Sequence, residues 1–145
     1  SLMAKVDFKM PEEFLLKVSK LADRTDTIIP KVLKAGAEPV LKKVKSNLIS
    51  VIGKNLKDES RSTGELADAL GISPASLDKA GNSNVKIGFG EPRQNGVSNA
   101  KIANTIEYGK SGQEPKPFLK SAKTAARKEC IETMKQELER QMENV

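Results

Sequence analysis

Near its C-terminus the chain reads IANTIEYGKSGQEPKPFLKSA over residues 102–122. The spacing of Ile102, Ala103 and Ile106 predicts a helical turn that ends in Glu-Tyr-Gly at 107–109. A polar loop follows, and Pro117 predicts the start of a long helix, because proline is well tolerated in a first turn. The apolar positions of this helix recur mostly every four residues and form one stripe: Leu119, Ala122, Ala126, Cys130, Met134, Leu138 and Met142. The helix is long for a domain of this size, so we expect its end to pack on a neighbouring subunit.

Two further helices are predicted in the N-terminal half. Pro11, followed by two acidic residues, predicts a helix over about 11–23. An apolar stripe that begins at Ile29 predicts a second, longer helix with Gly53 as its C-cap. Pro39 lies inside that stripe, where it removes a backbone hydrogen bond, so we expect a kink or a break there.

The pattern changes after the second helix. Residues 54–63 are polar and charged and are interpreted as a mobile loop. Ser62 and Glu65 have the spacing of a capping box, which predicts a short helix over about 64–70 that Gly71 ends.

A small sheet is predicted next. Apolar residues alternate over 85–89 and predict a short strand. The preceding residues 81–84 have strong turn chemistry, which places a partner strand within 72–79. Residues 90–99 are interpreted as a flexible loop. The prediction is an α+β fold, in which N-terminal helices and a long C-terminal helix pack on a small antiparallel sheet.

Composition limits the function classes. The 145 residues fit a single domain at 3–145, with Ser1 and Leu2 interpreted as an expression scar before Met3. The chain has no histidine and one cysteine, which excludes Ser-His and Cys-His catalysis and any intrachain disulfide. No targeting signal or apolar run of membrane-spanning length is present, so we expect the chain to stay in the cytoplasm where it is made.

The net charge of +6 permits weak nucleic-acid contact without requiring it.

Candidate catalytic groups have simpler interpretations. Cys130 lies in the core stripe of the last helix and is interpreted as a small buried hydrophobe. The central acids match no metal or acid–base motif that we recognise: Asp58, Glu59, Glu65, Asp68 and Asp78. The glycines near 88–90 and 109–112 match no phosphate-binding pattern. The sequence predicts no catalytic residue, no metal and no cofactor, and a toxin-like or nuclease-like enzyme is disfavoured.

Residues 65–80 carry an alternative. They look like a bacterial repressor's helix-turn-helix, with Ala67 on the first helix, Gly71 in the turn and a recognition helix from Ser73. The second helix would stop at Gly81 and offers no Arg, Asn or Gln for base edges. A DNA-binding regulator is therefore the alternative hypothesis, not the preferred one.

The 102–122 stretch resembles the signature of phage tail-component proteins, the family of the Hong Kong 97 phage gene-10 product. These are small neck proteins of long-tailed phages that complete the tail or join it to the head. The segments that carry the resemblance are Glu-Tyr-Gly, Pro-x-Pro-Phe-Leu, the Gly36–Leu41 part of the long helix, and Thr-Gly-x-Leu at 63–66. In the family, the Thr-Gly-x-Leu segment opens the small sheet. The chain departs from the family at 60–62, where Ser-Arg-Ser replaces Pro-Val-Asp. On this reading residues 71–77 form a strand.

The resemblance implies a non-enzymatic structural protein of a phage or prophage particle. It implies partners in a ring of its own copies and in neighbouring neck or tail proteins, with no membrane. The protein would assemble in the bacterial cytoplasm and reside in the neck or tail of the virion. The signature or interface residues that it implies are Thr63, Gly64, Leu66, Glu107, Tyr108, Gly109, Pro117, Phe118 and Leu119.

Overall fold

The computed structural model describes residues 5–21, 24–52, 66–90 and 98–143. The helices are α1 (Glu12–Ser19), α2 (Thr25–Ile52), α3 (Asn99–Tyr108) and α4 (Phe118–Glu143). The strands are β1 (Val6–Lys9), β2 (Leu70–Ile72), β3 (Ser76–Leu77) and β4 (Ser83–Phe89). This is the predicted α+β class, with a long C-terminal helix and a small antiparallel sheet.

The sheet is built around β4. β1 pairs along one side of β4, with Val6 opposite Ile87 and Phe8 opposite Val85. β2 and β3 follow each other along the other side and are also antiparallel to β4. Val85 and Ile87 are almost completely buried, whereas Lys86 between them is half-buried. One face of the sheet therefore covers the core, as the alternation in the sequence predicts.

The core lies between this sheet face and a layer formed by α2 and α4. These two helices are the most extensively packed pair of elements. Asn47 near the end of α2 bonds to the first turn of α4, and Gly36 lies against Met134, so the helices run antiparallel. A Cβ on Gly36 would lie 2.5 Å from Cγ of Met134, and glycine is what permits this close approach. The predicted α4 stripe is buried from Leu119 to Leu138.

Four details correct the sequence interpretation. α2 continues through Pro39, so the expected break does not occur, and a kink within the continuous helix stays a prediction. Packing against α4 and the sheet stabilises the helix despite the lost backbone bond. α1 ends at Ser19 and not near 23. β1 was not predicted. Asn99, which the sequence places in a flexible loop, lies in α3.

The helix-turn-helix alternative is wrong. Residues 66–68 form a single helical turn, and Gly71 lies within β2 opposite Gly88 instead of ending a helix. Where the recognition helix would lie, β3 pairs with β4, and its Leu77 is opposite Ser83. Backbone pairing with β4 therefore replaces the local helical bonds. Among the described residues of this segment, pairing with β4 starts at Leu70, and Thr63 and Gly64 lie outside them.

Some predictions fall outside the described residues. They concern the expression scar, the cap at Gly53, the loop at 54–63, the capping box of Ser62 and Glu65, and most of the loop at 90–99.

Candidate functional site

The Glu-Tyr-Gly segment ends α3. Gly109 follows the helix with φ of +78°, and its N–H donates to the carbonyl of Thr105 at 2.9 Å. A Cβ at this position would lie 2.8 Å from both the carbonyl oxygen of Gln113 and the nitrogen of Pro115. The left-handed conformation and the crowding both require glycine here.

A tight turn then reverses the chain toward α4. Lys110 and Gln113 exchange backbone hydrogen bonds of 3.0 and 2.9 Å, with Gly112 between them at φ +80°. The chain returns alongside α3, where the N–H of Lys116 donates to the carbonyl of Ile106 at 2.8 Å. The polar loop of the signature is thus an ordered connection.

Glu107 joins the two helices. Its side chain is buried, with 3% of its surface exposed. Its Oε1 accepts from the N–H of Leu119 at 2.8 Å, and its Oε2 accepts from the N–H of Lys120 at 3.1 Å. The first N–H groups of a helix have no partner within the helix, and an acidic group there also interacts favourably with the helix dipole. Glu107 therefore caps α4 from the last turn of α3.

Phe118 and Leu119 anchor the start of α4 in the core. Both side chains are buried, and the Phe118 ring meets that of Phe89 edge to face, with centroids 6.2 Å apart. Asn47 of α2 donates through its side-chain amide to the carbonyl of Phe118 at 3.3 Å. Pro117 precedes them at the surface, beside a groove of about 360 Å³ between α2 and α4.

The structure therefore brings together six of the nine signature residues in one junction, at 107–109 and 117–119. Leu66 lies elsewhere, buried in the core, and Thr63 and Gly64 lie outside the described residues. Within the junction, Tyr108 is the large apolar side chain that faces solvent, with 45% of its surface exposed. Its proposed role as a contact residue remains a prediction.

The sequence analysis names Glu107 but not its capping contact, and it does not name Asn47. Asn47 lies 71 residues from Phe118, and Glu107 lies 12 residues from Leu119, so neither contact follows a local spacing rule. A buried acid in an otherwise apolar helix face was the signal available for Glu107.

Cys130 is buried in the core stripe of α4, as the sequence predicts. Burial raises the pKa of its thiol to about 11, against a smaller opposing effect of Lys123. A thiol with this pKa is almost wholly protonated at neutral pH and is a poor nucleophile. Within the described parts of the chain, the acids and Cys130 form no group of three that could hold a metal ion.

Asp78 shows what one of the central acids does. It lies in the turn between β3 and β4, where its Oδ1 accepts from the N–H groups of Ala80 and Asn82, each at 2.9 Å. The hydrogen bond from the Asn82 N–H is the main cause that lowers the pKa of the Asp78 carboxyl. The Lys9 ammonium also lowers it, and its Nζ lies 3.3 Å from Oδ2 of Asp78. This carboxylate therefore organises a turn.

The fold and the junction define a small α+β protein in which Glu107 caps α4 and Phe118 and Leu119 anchor that helix in the core. A family model described as "Bacteriophage HK97-gp10, putative tail-component" matches residues 12–109. The match covers more than half of the chain, which therefore belongs to this family of phage tail components. It ends at Gly109, so Pro117, Phe118 and Leu119 lie beyond the matched residues.

Comparisons with curated proteins and with solved structures found no match. Of the helices that the structure describes, none has the length and apolar character needed to cross a membrane.

Proposed function

We propose that this chain is a non-enzymatic structural protein of a phage or prophage particle that completes the tail or joins it to the head. It acts by forming a ring of its own copies that contacts neighbouring neck or tail proteins. The observation that carries the proposal is the family match over residues 12–109.

The junction supports the non-enzymatic part of the proposal. Glu107, the buried acid of the signature, has both carboxylate oxygens bonded to the backbone of α4. Cys130 is buried and its thiol pKa is raised. These two groups, which could otherwise suggest chemistry, have structural roles.

The end of α4 supports contacts between subunits. The apolar stripe is buried as far as Leu138, and its next member, Met142, has 37% of its surface exposed. We propose that this apolar side chain near the end of the helix packs on a neighbouring subunit. Rings form when two different surfaces of a subunit meet and the rotation between copies closes.

Deletion of the gene from the phage or prophage that encodes it tests this function. We expect heads and tails to be made but to remain separate in electron micrographs, with joining restored by the wild-type gene supplied in trans. Joined, infectious particles without the protein would refute the proposal. Loss of heads and tails alike would point to an earlier role.

A further inference from the structure

The charge of the layer formed by α2 and α4 is concentrated at one end. Residues 39–52, the C-terminal half of α2, contain no acid, and neither does the segment 115–128 that leads into and begins α4. The two segments contain eight basic residues: Lys42, Lys43, Lys45, Lys116, Lys120, Lys123, Arg127 and Lys128. The rest of α4, residues 129–143, has five acids and two basic residues. We therefore expect a positive potential over one end of the layer.

The antiparallel packing of α2 and α4 brings the two basic segments side by side. The side-chain amide of Asn47 donates to the carbonyl of Phe118 at 3.3 Å and to Oγ of Ser121 at 3.4 Å. Lys43 and Lys116 line the groove between the two helices, and no acid is among the described residues that line it. We call it the α2–α4 groove. The positive charges of one helix therefore adjoin those of the other.

Two of the eight basic residues belong to a different surface. Lys123 and Arg127 line a cleft between β1 and α4 that Asp7, Glu12 and Glu13 also line. The charge of that cleft is therefore mixed. The other six basic residues lie outside it, and we call them the basic face: Lys42, Lys43, Lys45, Lys116, Lys120 and Lys128. Five of them are exposed, and Lys116 is half-buried.

Acids mark one margin of the basic face. Glu38 and Glu129 line a second groove together with Lys42 and Lys45. The charge of these two lysines is therefore partly offset, and the uncompensated charge lies with the remaining lysines of the face.

Three lysines form the uncompensated centre of the basic face. Lys43, Lys120 and Lys128 are exposed, and within the described parts of the chain none of them takes part in an ion pair. Lys120 and Lys128 lie on one row of α4, with Thr124 between them at the spacing of four residues that places side chains on the same side of a helix. Lys43 of α2 lines the α2–α4 groove together with Ser121 of α4. Their charges are available to an external anion.

The composition of the basic face favours phosphate over a protein surface as its partner. Exposed hydroxyl groups lie among the lysines: Ser46, Ser50, Ser121 and Thr124. Ammonium and hydroxyl groups are common donors to the phosphate oxygens of nucleic acids. Protein interfaces are instead enriched in aromatic side chains and depleted in lysine. Ile49, with 54% of its surface exposed, is the large apolar side chain that the two segments expose.

The aromatic content of the two segments distinguishes a double strand from a single strand. Their aromatic residue, Phe118, is buried in the core. Proteins that bind single strands stack the bases on exposed aromatic side chains, which the basic face lacks. Lysine contacts to phosphate carry no information about base sequence. The face therefore fits the backbone of a double helix of any sequence.

We infer that the basic face binds the phosphate backbone of a double-stranded nucleic acid, without sequence preference, with Lys43, Lys120 and Lys128 at the centre of the contact. This binding activity goes beyond the proposed structural function and does not depend on ring formation. It also differs from the helix-turn-helix alternative, because that segment forms β2 and β3 and contributes nothing to the basic face.

Binding of a fluorescent DNA duplex of about 20 base pairs, followed by anisotropy, tests the inference. The triple variant Lys43→Gln, Lys120→Gln and Lys128→Gln should bind at least about tenfold more weakly than wild type at 0.1 M salt. The control is Lys17→Gln, Lys79→Gln and Lys135→Gln, which removes the same charge from three exposed lysines outside the basic face. It should bind within about twofold of wild type, because its lysines contact no phosphate.

The dependence of affinity on salt counts the contacts. Each phosphate that a lysine neutralises adds about 0.9 to the slope of log K against log salt. The slope of the basic-face variant should therefore be shallower than that of wild type by about 2–3, whereas the control variant should keep the wild-type slope. Equal affinities and slopes in the two triple variants would show that net charge alone drives binding and would overturn the inference.

Competitors of different chemistry identify the partner. Unlabelled duplex DNA and duplex RNA should both displace the probe, since the two share a phosphate backbone. A single strand of the same sequence should compete less well. Polyglutamate that competes as well as the duplex would identify an acidic protein as the partner instead, and a single strand that competes better would refute the preference for a double helix.

Two further results bear on the inference. Both triple variants should unfold at the wild-type temperature, because exposed lysines contribute little to stability. Failure of the wild-type protein to bind the duplex at concentrations up to about 0.1 mM would overturn the inference, since binding through phosphate contacts has a Kd of about 1–100 µM at physiological salt. That failure would leave the proposed structural function intact, because the gene deletion tests it separately.

Discussion

Replacement of Glu107 tests whether the family signature supports the fold or forms an interface. In the wild-type protein both carboxylate oxygens accept backbone N–H groups at the start of α4, and the side chain is 97% removed from solvent. Glu107→Ala leaves both N–H groups without this partner. Glu107→Gln keeps one acceptor oxygen and presents an NH2 group to the other donor.

The expected decreases in the free energy of unfolding follow from these contacts. A buried donor left without its partner costs about 1–3 kcal/mol, and loss of a helix cap costs about 0.5–2 kcal/mol. The two terms overlap, so we expect Glu107→Ala to lower the free energy of unfolding by about 2–4 kcal/mol. Glu107→Gln should lower it by about 1–2 kcal/mol, since one hydrogen bond survives. The free energy of unfolding of a domain of this size is typically about 5–15 kcal/mol, so both variants should still fold.

Urea unfolding followed by far-ultraviolet circular dichroism measures these losses. Glu132→Gln is the matched control, because Glu132 is an exposed acid on α4, the helix that Glu107 caps, and its replacement should change stability by less than about 0.5 kcal/mol. If Glu107→Gln and Glu107→Ala were both as stable as this control, the capping role would be refuted. Loss of particle joining at unchanged stability would instead identify Glu107 as an interface residue.

Three further predictions concern packing and titration. Gly109→Ala should cost about 1–3 kcal/mol, and more than Gly112→Ala, because both have positive φ but only Gly109 is crowded; equal losses in urea melts would contradict the crowding. Gly36→Ala should cost about 1–3 kcal/mol by displacing Met134, and a double-mutant cycle with Met134→Ala should show partial relief; additive losses would argue against this contact. The pKa of Cys130 is raised from 9.0 to about 11, so this thiol favours the folded state fully below pH 9 and loses that contribution as pH rises to about 11. Cys130→Ala should flatten the decline in that pH range, and an identical decline would show that other groups cause it.

The helices could be predicted from the sequence because their signals are local. The α4 stripe repeats through several turns, and the spacing of Ile102, Ala103 and Ile106 places α3 without knowledge of the fold. The alternation over 85–89 likewise identifies β4, because one face of the strand covers the core. Such periodic patterns indicate which face of a helix or strand is buried.

The remaining elements depend on contacts distant in sequence. β1 is four residues long, and its pairing joins Val6 to Ile87. The segment from Leu70 to Leu77 is equally compatible locally with a helix, and pairing with β4 decides its conformation. Pro39 destabilises the helix locally, and the tertiary packing of α2 outweighs that loss of free energy.

Gold labelling of intact virions tests the central claim most directly. The protein would carry an epitope tag, and labelled particles would be viewed by electron microscopy. We predict label at a single position, where the tail meets the head, in joined particles. Label along the whole tail, or its absence from purified particles, would contradict a neck protein that completes the tail.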